Sequence, residues 1–394
     1  MDHTKPSLTP LYCLHQAAYF FAMAGISAFA VTYLMNRGFG SAQIGIMLAT
    51  TNILSCILQP TIGSYVDKTS VAALRKIIPC FLLAALASLA SIELLQLPQL
   101  ATGVLYVCGY LTFSITLALF TPLCAHYSRS GYPIDYGAAT GTGSLSFSFA
   151  SLGFGYIIAR LGTSAMMWVV MLCIVLQLLL VLRYPKVLPA QTAAHAKAPQ
   201  QSSLSILAFS RRYRLFMVTM LGVMCLTACH AMAENFLIQI FGRMGGGSEH
   251  VGIALFLACI TAAPFMLFFE RIQGRIGVII LLRLTGVFYV IKALLLVWAP
   301  TITSVYLIEL LQTVTYAFLQ PSLYYLVLAR IEHADMAKGQ TLASALFSLG
   351  MAMGNSLGGI ASEHLGLSPM LFIAACIACV GTLLINLTIS RSDC

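Results

Sequence analysis

Apolar residues run along this chain in long unbroken stretches rather than in alternation with polar ones. Twelve such stretches can be drawn, at approximately 11–35, 42–65, 77–97, 101–124, 138–159, 165–183, 213–240, 250–269, 277–298, 303–328, 339–361 and 368–389. Each is close to the roughly 20 residues that a helix needs to cross a bilayer. Continuous apolar runs exclude a β-barrel, whose strands alternate apolar and polar faces. Glu, Asp, Lys, Arg, Gly and Pro punctuate the runs. The longest polar interval, 184–212, is rich in Ala, Gln, Pro and Ser and leads into Arg211, Arg212 and Arg214. It reads as a cytoplasmic linker between two six-helix bundles, 1–183 and 213–394. The predicted fold is therefore an all-α membrane protein of 12 transmembrane helices in two pseudo-symmetric bundles.

Composition agrees with that pattern and narrows the function classes. Of 394 residues, 59% are hydrophobic and only 8% charged, against about 25% charged in a soluble domain. So few charges cannot cover a soluble surface, which excludes a soluble enzyme, a nucleic-acid module and a disordered chain. The net charge of +9 is explained by where the basic residues fall. With the N-terminus inside, 16 of the 21 Lys and Arg lie in cytoplasmic segments. Only Arg37, Arg160 and Arg243 lie in outer loops, and Arg283 and Lys292 sit within the ninth segment. This asymmetry places both termini in the cytoplasm of a cell, with the bacterial inner membrane as the expected setting. The 12 cysteines, including Cys376 and Cys379, lie almost entirely within apolar runs, and no Cys/His set has zinc spacing. They read as small buried apolar side chains, so no metal or cofactor is expected. The first apolar run is too long for a cleavable signal and lacks a small-residue cleavage site.

The two halves echo each other. Gln43-Ile44-Gly45-Ile46 opens the second segment and His250-Val251-Gly252-Ile253 the eighth. Ser151-Leu152-Gly153 before Leu161-Gly162 matches Ser356-Leu357-Gly358 before Leu365-Gly366. A repeat of this size suits a transporter built from two related bundles. Gly350, Gly354 and Gly358 form a small-x-x-x-small run suited to close helix packing.

The loop after the second segment carries Gly63, Asp67 and Lys68, followed by Arg75 and Lys76. It resembles the signature loop of the major facilitator superfamily, with the central glycine missing and the basic pair late. Glu270-Arg271 and Gly274-Arg275 form a degenerate copy in the second half. Within that superfamily the chain is most similar to the lactose-permease group of oligosaccharide–proton symporters. Tyr19-Phe20-Phe21, Gly45, Gln59-Pro60 and Asp67-Lys68 carry the likeness, with the spacing from Val251-Gly252 to Lys292. The resemblance implies a shared scaffold but a different site. The group's galactoside-binding arginine falls on Thr140, its stacking tryptophan on Phe147 and its eighth-helix glutamate on Cys259. Its ninth-helix arginine is kept in type as Lys292, and the tenth-helix lysine, histidine and glutamate fall on Glu309, Gln312 and Thr315.

Charged groups inside a membrane cost about 2.5–3.5 kcal/mol each on insertion scales, so those present face a cavity or a partner. His230 and Glu234 are one turn apart on one face of the seventh segment, beside Asn235 and Gln239. Glu309, Gln312, Tyr316, Gln320 and Tyr324 follow at helical spacing on the tenth, where Pro321 predicts a kink. Lys292 is the natural countercharge for either acid. Glu234, Glu309, Lys292 and His230 are accordingly the candidate proton-coupling groups, although the same residues suit a static interhelical ion pair. Candidate solute-binding residues are Tyr19, Asn52, Tyr110 and Phe147 in the first half and Asn235, Gln312, Tyr316 and Gln320 in the second. Aromatic rings beside amides suit a small polar or aromatic solute such as a sugar, a nucleoside or an aromatic acid. Glu93, near the outer end of the third segment, is a weaker candidate.

These readings give a monomeric secondary transporter that imports such a solute with protons by alternating access. Its partners would be the solute, protons and membrane lipid, with no nucleic acid. An exporter or a uniporter of the same fold is the alternative. An integral-membrane enzyme would need a clustered catalytic set, and a sensor an additional soluble domain.

Overall fold

A computed structural model describes residues 6–66, 71–185 and 205–388. Seventeen α-helices follow one another: α1 Thr9–Met23, α2 Ala30–Asn36, α3 Ser41–Val66, α4 Val71–Leu94, α5 Gln99–Arg129, α6 Tyr136–Leu161, α7 Thr163–Arg183, α8 Ile206–Arg212, α9 Arg214–Glu234, α10 Leu237–Gly242, α11 Ser248–Leu267, α12 Phe269–Ile276, α13 Val278–Val297, α14 Ile302–Glu309, α15 Tyr316–Arg330, α16 Met336–His364 and α17 Leu367–Thr388. No strand occurs among the described residues. Backbone polar groups within a bilayer must be satisfied internally, and helices do this segment by segment.

Ten of these spans are long and apolar enough to cross a membrane. The pair Thr9–Ala28 and Ala30–Asn36, bent by 52°, makes an eleventh. The remaining predicted segment, 339–361, lies in α16, whose glycines and serines keep its hydropathy below that of a span. The bend in the first span follows a π-helical turn at Ala24–Ala28, where the widened backbone breaks the helical ladder.

Local chemistry sets several boundaries. Asp135 caps α6 by accepting from the Ala138 N–H at 2.9 Å, and Thr301 with Ser304 forms a capping box at α14. Gly162 and Gly366 hold φ values of +85° and +92° at the joints before α7 and α17, a region other residues rarely enter. The 204 residues between these glycines also separate Ser151 from Asn355 and Gly155 from Gly359.

The chain divides into two compact units. The first comprises Met1–Phe39, Leu54–His195 and Val251–Phe256; the second comprises Gly40–Ile53, Ala196–His250 and Leu257–Cys394. Within the first, a Cβ on Gly252 would lie 2.6 Å from Ser151 O and 3.0 Å from Gly155 Cα. Within the second, a Cβ on Gly45 would press on Asn355 O and lie 3.1 Å from Gly359 Cα. The repeat is thus visible as two matched glycine crossings, and it sets the register one residue away from the Ser-Leu-Gly match read in the sequence.

Three expectations about the elements change. Arg75 and Lys76 lie inside α4, not in a loop, because the helix already starts at Val71. The tenth span is interrupted before Pro321: a 3-10 turn covers Leu310–Thr313, and Pro321 lies within the helical run of α15. The interval 184–212 contains the helix α8.

Candidate functional site

The second unit gathers three charged residues into one buried cluster. Glu234 ends α9, Lys292 stands in the last third of α13, and Glu309 ends α14. The Lys292 ammonium donates to Glu234 Oε1 at 2.5 Å, to Glu309 Oε2 at 2.8 Å and to Gln312 Oε1 at 2.9 Å. An ammonium has three protons, so this set uses all of them. The Lys292 and Glu309 side chains are 2% and 0% exposed, and that of Glu234 is 9% exposed.

The 3-10 turn builds part of this geometry. In a 3-10 turn, residues three apart are eclipsed rather than offset. Glu309 caps that turn and Gln312 lies within it three residues on, and both reach the same nitrogen. Thr285 on α13 donates to Val314 O at 3.1 Å, occupying a carbonyl at the interruption.

The cluster carries one positive and two negative groups. It is singly negative with both acids ionised and neutral with one proton bound. Buried charge must be paired closely, because separation in low dielectric is costly. The void against Cys229, His230, Glu234, Tyr289 and Lys292 is only about 10 Å³. That is about the room of one water molecule.

Aromatic rings line one side. His230 stacks on Tyr316 with ring centroids 4.7 Å apart at 22°, and meets Tyr289 edge-on at 6.2 Å. His230 thus stands beside Glu234 along α9 as predicted, with its ring held by these two tyrosines. Asn235 donates to Asn355 Oδ1 at 2.5 Å, tying the end of α9 to α16. Gln239, on the separate helix α10, donates to Ser41 Oγ at 2.7 Å and accepts from Ser362. Glu363 accepts from the Ala42 N–H at 2.8 Å and so caps the start of α3.

The other sequence candidates are dispersed. Tyr19 is buried and stacks on Phe113 at 4.9 Å, and Tyr110 lies against Tyr106 at 6.4 Å. Asn52 and Phe147 are half-buried. Along the tenth span, burial falls from Glu309 and Gln312 through half-buried Tyr316 to exposed Gln320 and Tyr324. The stripe is therefore not one site: only its first three members join the cluster. Gly63 lies within α3, and Asp67 and Lys68 fall outside the described residues. Glu93 pairs with Arg37 at 2.6 Å and accepts from Tyr33 at 2.6 Å, beside a cavity of about 730 Å³ that also borders Gln96 and Gln99.

Sequence reading passed over Tyr289, Asn355 and Thr285. Tyr289 stands three residues before Lys292, on the same face of α13, and that spacing was the available signal. Asn355 was hidden within the glycine run of α16.

Comparison with known proteins places this geometry. The model of the MFS_1 like family matches residues 12–373. A maltose permease of Geobacillus stearothermophilus is 24% identical over 345 residues, covering 86% of this chain and 82% of the permease. Among solved structures, the nucleoside transporter NupG superposes with a TM-score of 0.82 at 15% identity, covering 98% of this chain and 99% of that one. A bacterial homologue of the lysosomal transporter Spinster gives 0.69 at 14% identity, covering 96% and 95%.

Proposed function

The chain belongs to the MFS_1 like family, and from that premise we propose that it is a proton-coupled importer of a sugar or nucleoside. It works by alternating access, as a monomer with both termini in the cytoplasm. Transport itself follows from the family; the coupling ion, the direction and the solute are the proposal.

The observation that carries the coupling is the ammonium shared by two carboxylates. One bound proton removes the cluster's net charge. Glu309 and Glu234 are the proton-binding pair, and Lys292 is the fixed countercharge that keeps either acid from being buried alone. Protonation releases one acceptor from Lys292, and the α9–α13–α14 junction then has a second arrangement available. A proton therefore biases a two-state packing, which is what coupling requires. The solute class is supported by the amides and aromatic ring at the cluster, Asn235, Gln312 and Tyr316, while Gln320, Tyr19, Asn52, Tyr110 and Phe147 stand apart from it and remain candidates from their residue types alone. A maltose permease and a nucleoside transporter among the similar proteins point to the same class.

The test is uptake of radiolabelled maltose and uridine into proteoliposomes, with and without an inward proton gradient. Accumulation that depends on the gradient in the wild type and disappears in Glu309→Gln supports the reading. Uptake indifferent both to the gradient and to that substitution overturns the coupling.

A further inference from the structure

The short helix α8 lies immediately before the span α9 and does not take part in the charged cluster. Its N-terminus is capped by Ser205, which accepts from the Ala208 N–H at 3.2 Å. Phe209 is fully buried and packs on Tyr213, with centroids 4.7 Å apart, and on Phe216 at 6.4 Å. Arg212 is fastened to Glu332 at 2.6 Å and approaches Asp335 at 3.7 Å. Tyr213 donates to Asp335 Oδ2 at 2.9 Å. These contacts fix how α8 is rotated about its axis.

That rotation leaves a distinct outward face. Ile206, Leu207 and Leu215 are 65%, 64% and 52% exposed. Arg211 and Arg214 are exposed beside them and form no ion pair among the described residues. Leu207 and Arg211 are four apart on one side of α8, and Arg214 and Leu215 open α9 just after the break at Tyr213, so apolar and basic groups alternate through the exposed junction. Exposed leucines beside unpaired arginines at the end of a spanning helix match the two layers of a membrane surface. The apolar side chains enter the acyl boundary and the guanidiniums meet phosphates. The third arginine is held by the acids, so it orients the helix and leaves the other two for the lipid.

We propose that α8 and the first residues of α9 form a docking surface for anionic phospholipid headgroups, with Arg211 and Arg214 as the phosphate-binding groups and Ile206, Leu207 and Leu215 as the apolar anchor. The occupant is a bilayer lipid carrying net negative charge, and each arginine contributes about fivefold to its partition.

The full-length protein is reconstituted in nanodiscs of phosphatidylcholine alone, or of phosphatidylcholine with phosphatidylglycerol, and its thermal midpoint is measured. Phosphatidylglycerol raises the midpoint of the wild type, and high salt removes the rise. Arg211→Gln/Arg214→Gln keeps the wild-type midpoint in phosphatidylcholine but loses the rise, whereas Arg160→Gln keeps it. Soluble glycerol phosphate leaves the midpoint unchanged. A rise of equal size in the double variant, no rise in the wild type, or a rise reproduced by glycerol phosphate overturns the proposal. If the double variant is unstable in phosphatidylcholine, Arg211→Lys/Arg214→Lys serves instead. It keeps the rise if headgroup charge is what binds, and a lost rise counts against it.

Discussion

The Lys292 ammonium and the Glu309 carboxylate meet at 2.8 Å, both essentially without solvent exposure, across the junction of α13 with the end of α14. Neither partner is replaceable alone. Removing the cation leaves two buried carboxylates facing each other, and breaking a buried pair in this way costs about 3–5 kcal/mol. Lys292→Met should therefore lower the thermal midpoint of the detergent-purified protein sharply. Lys292→Met combined with Glu234→Gln and Glu309→Gln removes all three charges and should recover most of that loss. Equal midpoints for the single and triple variants would show that the three residues do not act as one electrostatic unit.

Charge counting in the same cluster leads to an electrical prediction. A neutral solute entering with one proton moves one positive charge per cycle. Proteoliposomes on a solid-supported membrane should then give an inward current when solute is added, with a charge-to-solute ratio of about 1, since the cluster takes one proton to reach neutrality. Glu309→Gln should abolish the current while solute still binds. A solute-induced current that survives in Glu309→Gln would place the coupling elsewhere.

Glycines along the chain differ in what surrounds them, and their substitutions should differ accordingly. A Cβ on Gly350 would run into Thr227 Oγ1 and Met224 O of α9, and one on Gly354 into Ala228 O. The Thr227 hydroxyl can turn aside, but Met224 O and Ala228 O are backbone and cannot yield without moving a helix. Gly350→Ala should cost about 1–3 kcal/mol, the usual penalty for overpacking. Gly153 in α6 has nothing within 4 Å of an added Cβ. Gly153→Ala should be neutral or stabilising by up to about 1 kcal/mol, because alanine favours helix over glycine. Thermal melts of the two variants side by side decide the matter.

How far these features were legible in the sequence depended on the kind of physics behind each. Long apolar runs reported the spans, because the bilayer imposes a length on them. The rarity of charge inside those runs reported Glu234, Lys292 and Glu309, because each is too costly to be incidental. What failed was anything that assumed a regular helix. The stripe from Glu309 to Tyr324 presumed 3.6 residues per turn, and the 3-10 turn at Leu310–Thr313 draws Gln312 into line with Glu309 and leaves Gln320 apart. Pro321 looked like the point of disruption, yet it follows the interruption and sits in the second turn of α15. Its missing N–H leaves the Ala317 carbonyl without its usual donor four residues on, yet the helix continues to Arg330. Asn235 and Gln239 read as one strip, but α9 ends at Glu234, and the two amides serve different partners, Asn355 and Ser41. Such breaks arise from tertiary contacts and leave no periodicity to read.

Two basic residues that depart from the chain's charge asymmetry have a common structural explanation, and it can be measured. Arg243 donates to Leu296 O at 2.6 Å, to Ala299 O at 3.2 Å and to Val297 O at 3.4 Å, at the carboxyl end of α13. Arg37 donates to Ile92 O at 3.3 Å at the carboxyl end of α4. The last carbonyls of a helix lack partners within it and carry partial negative charge, so a guanidinium there supplies both donors and countercharge. The two arginines hold matching positions in the two halves. Arg243→Met should leave these carbonyls without their donor and destabilise the protein by about 1–3 kcal/mol. Arg160, exposed in the last turn of α6, is the control, and Arg160→Met should stay within about 0.5 kcal/mol, as surface substitutions do. Chemical or thermal unfolding in detergent measures both, and equal effects would mean that Arg243 is not acting as a helix-end clamp.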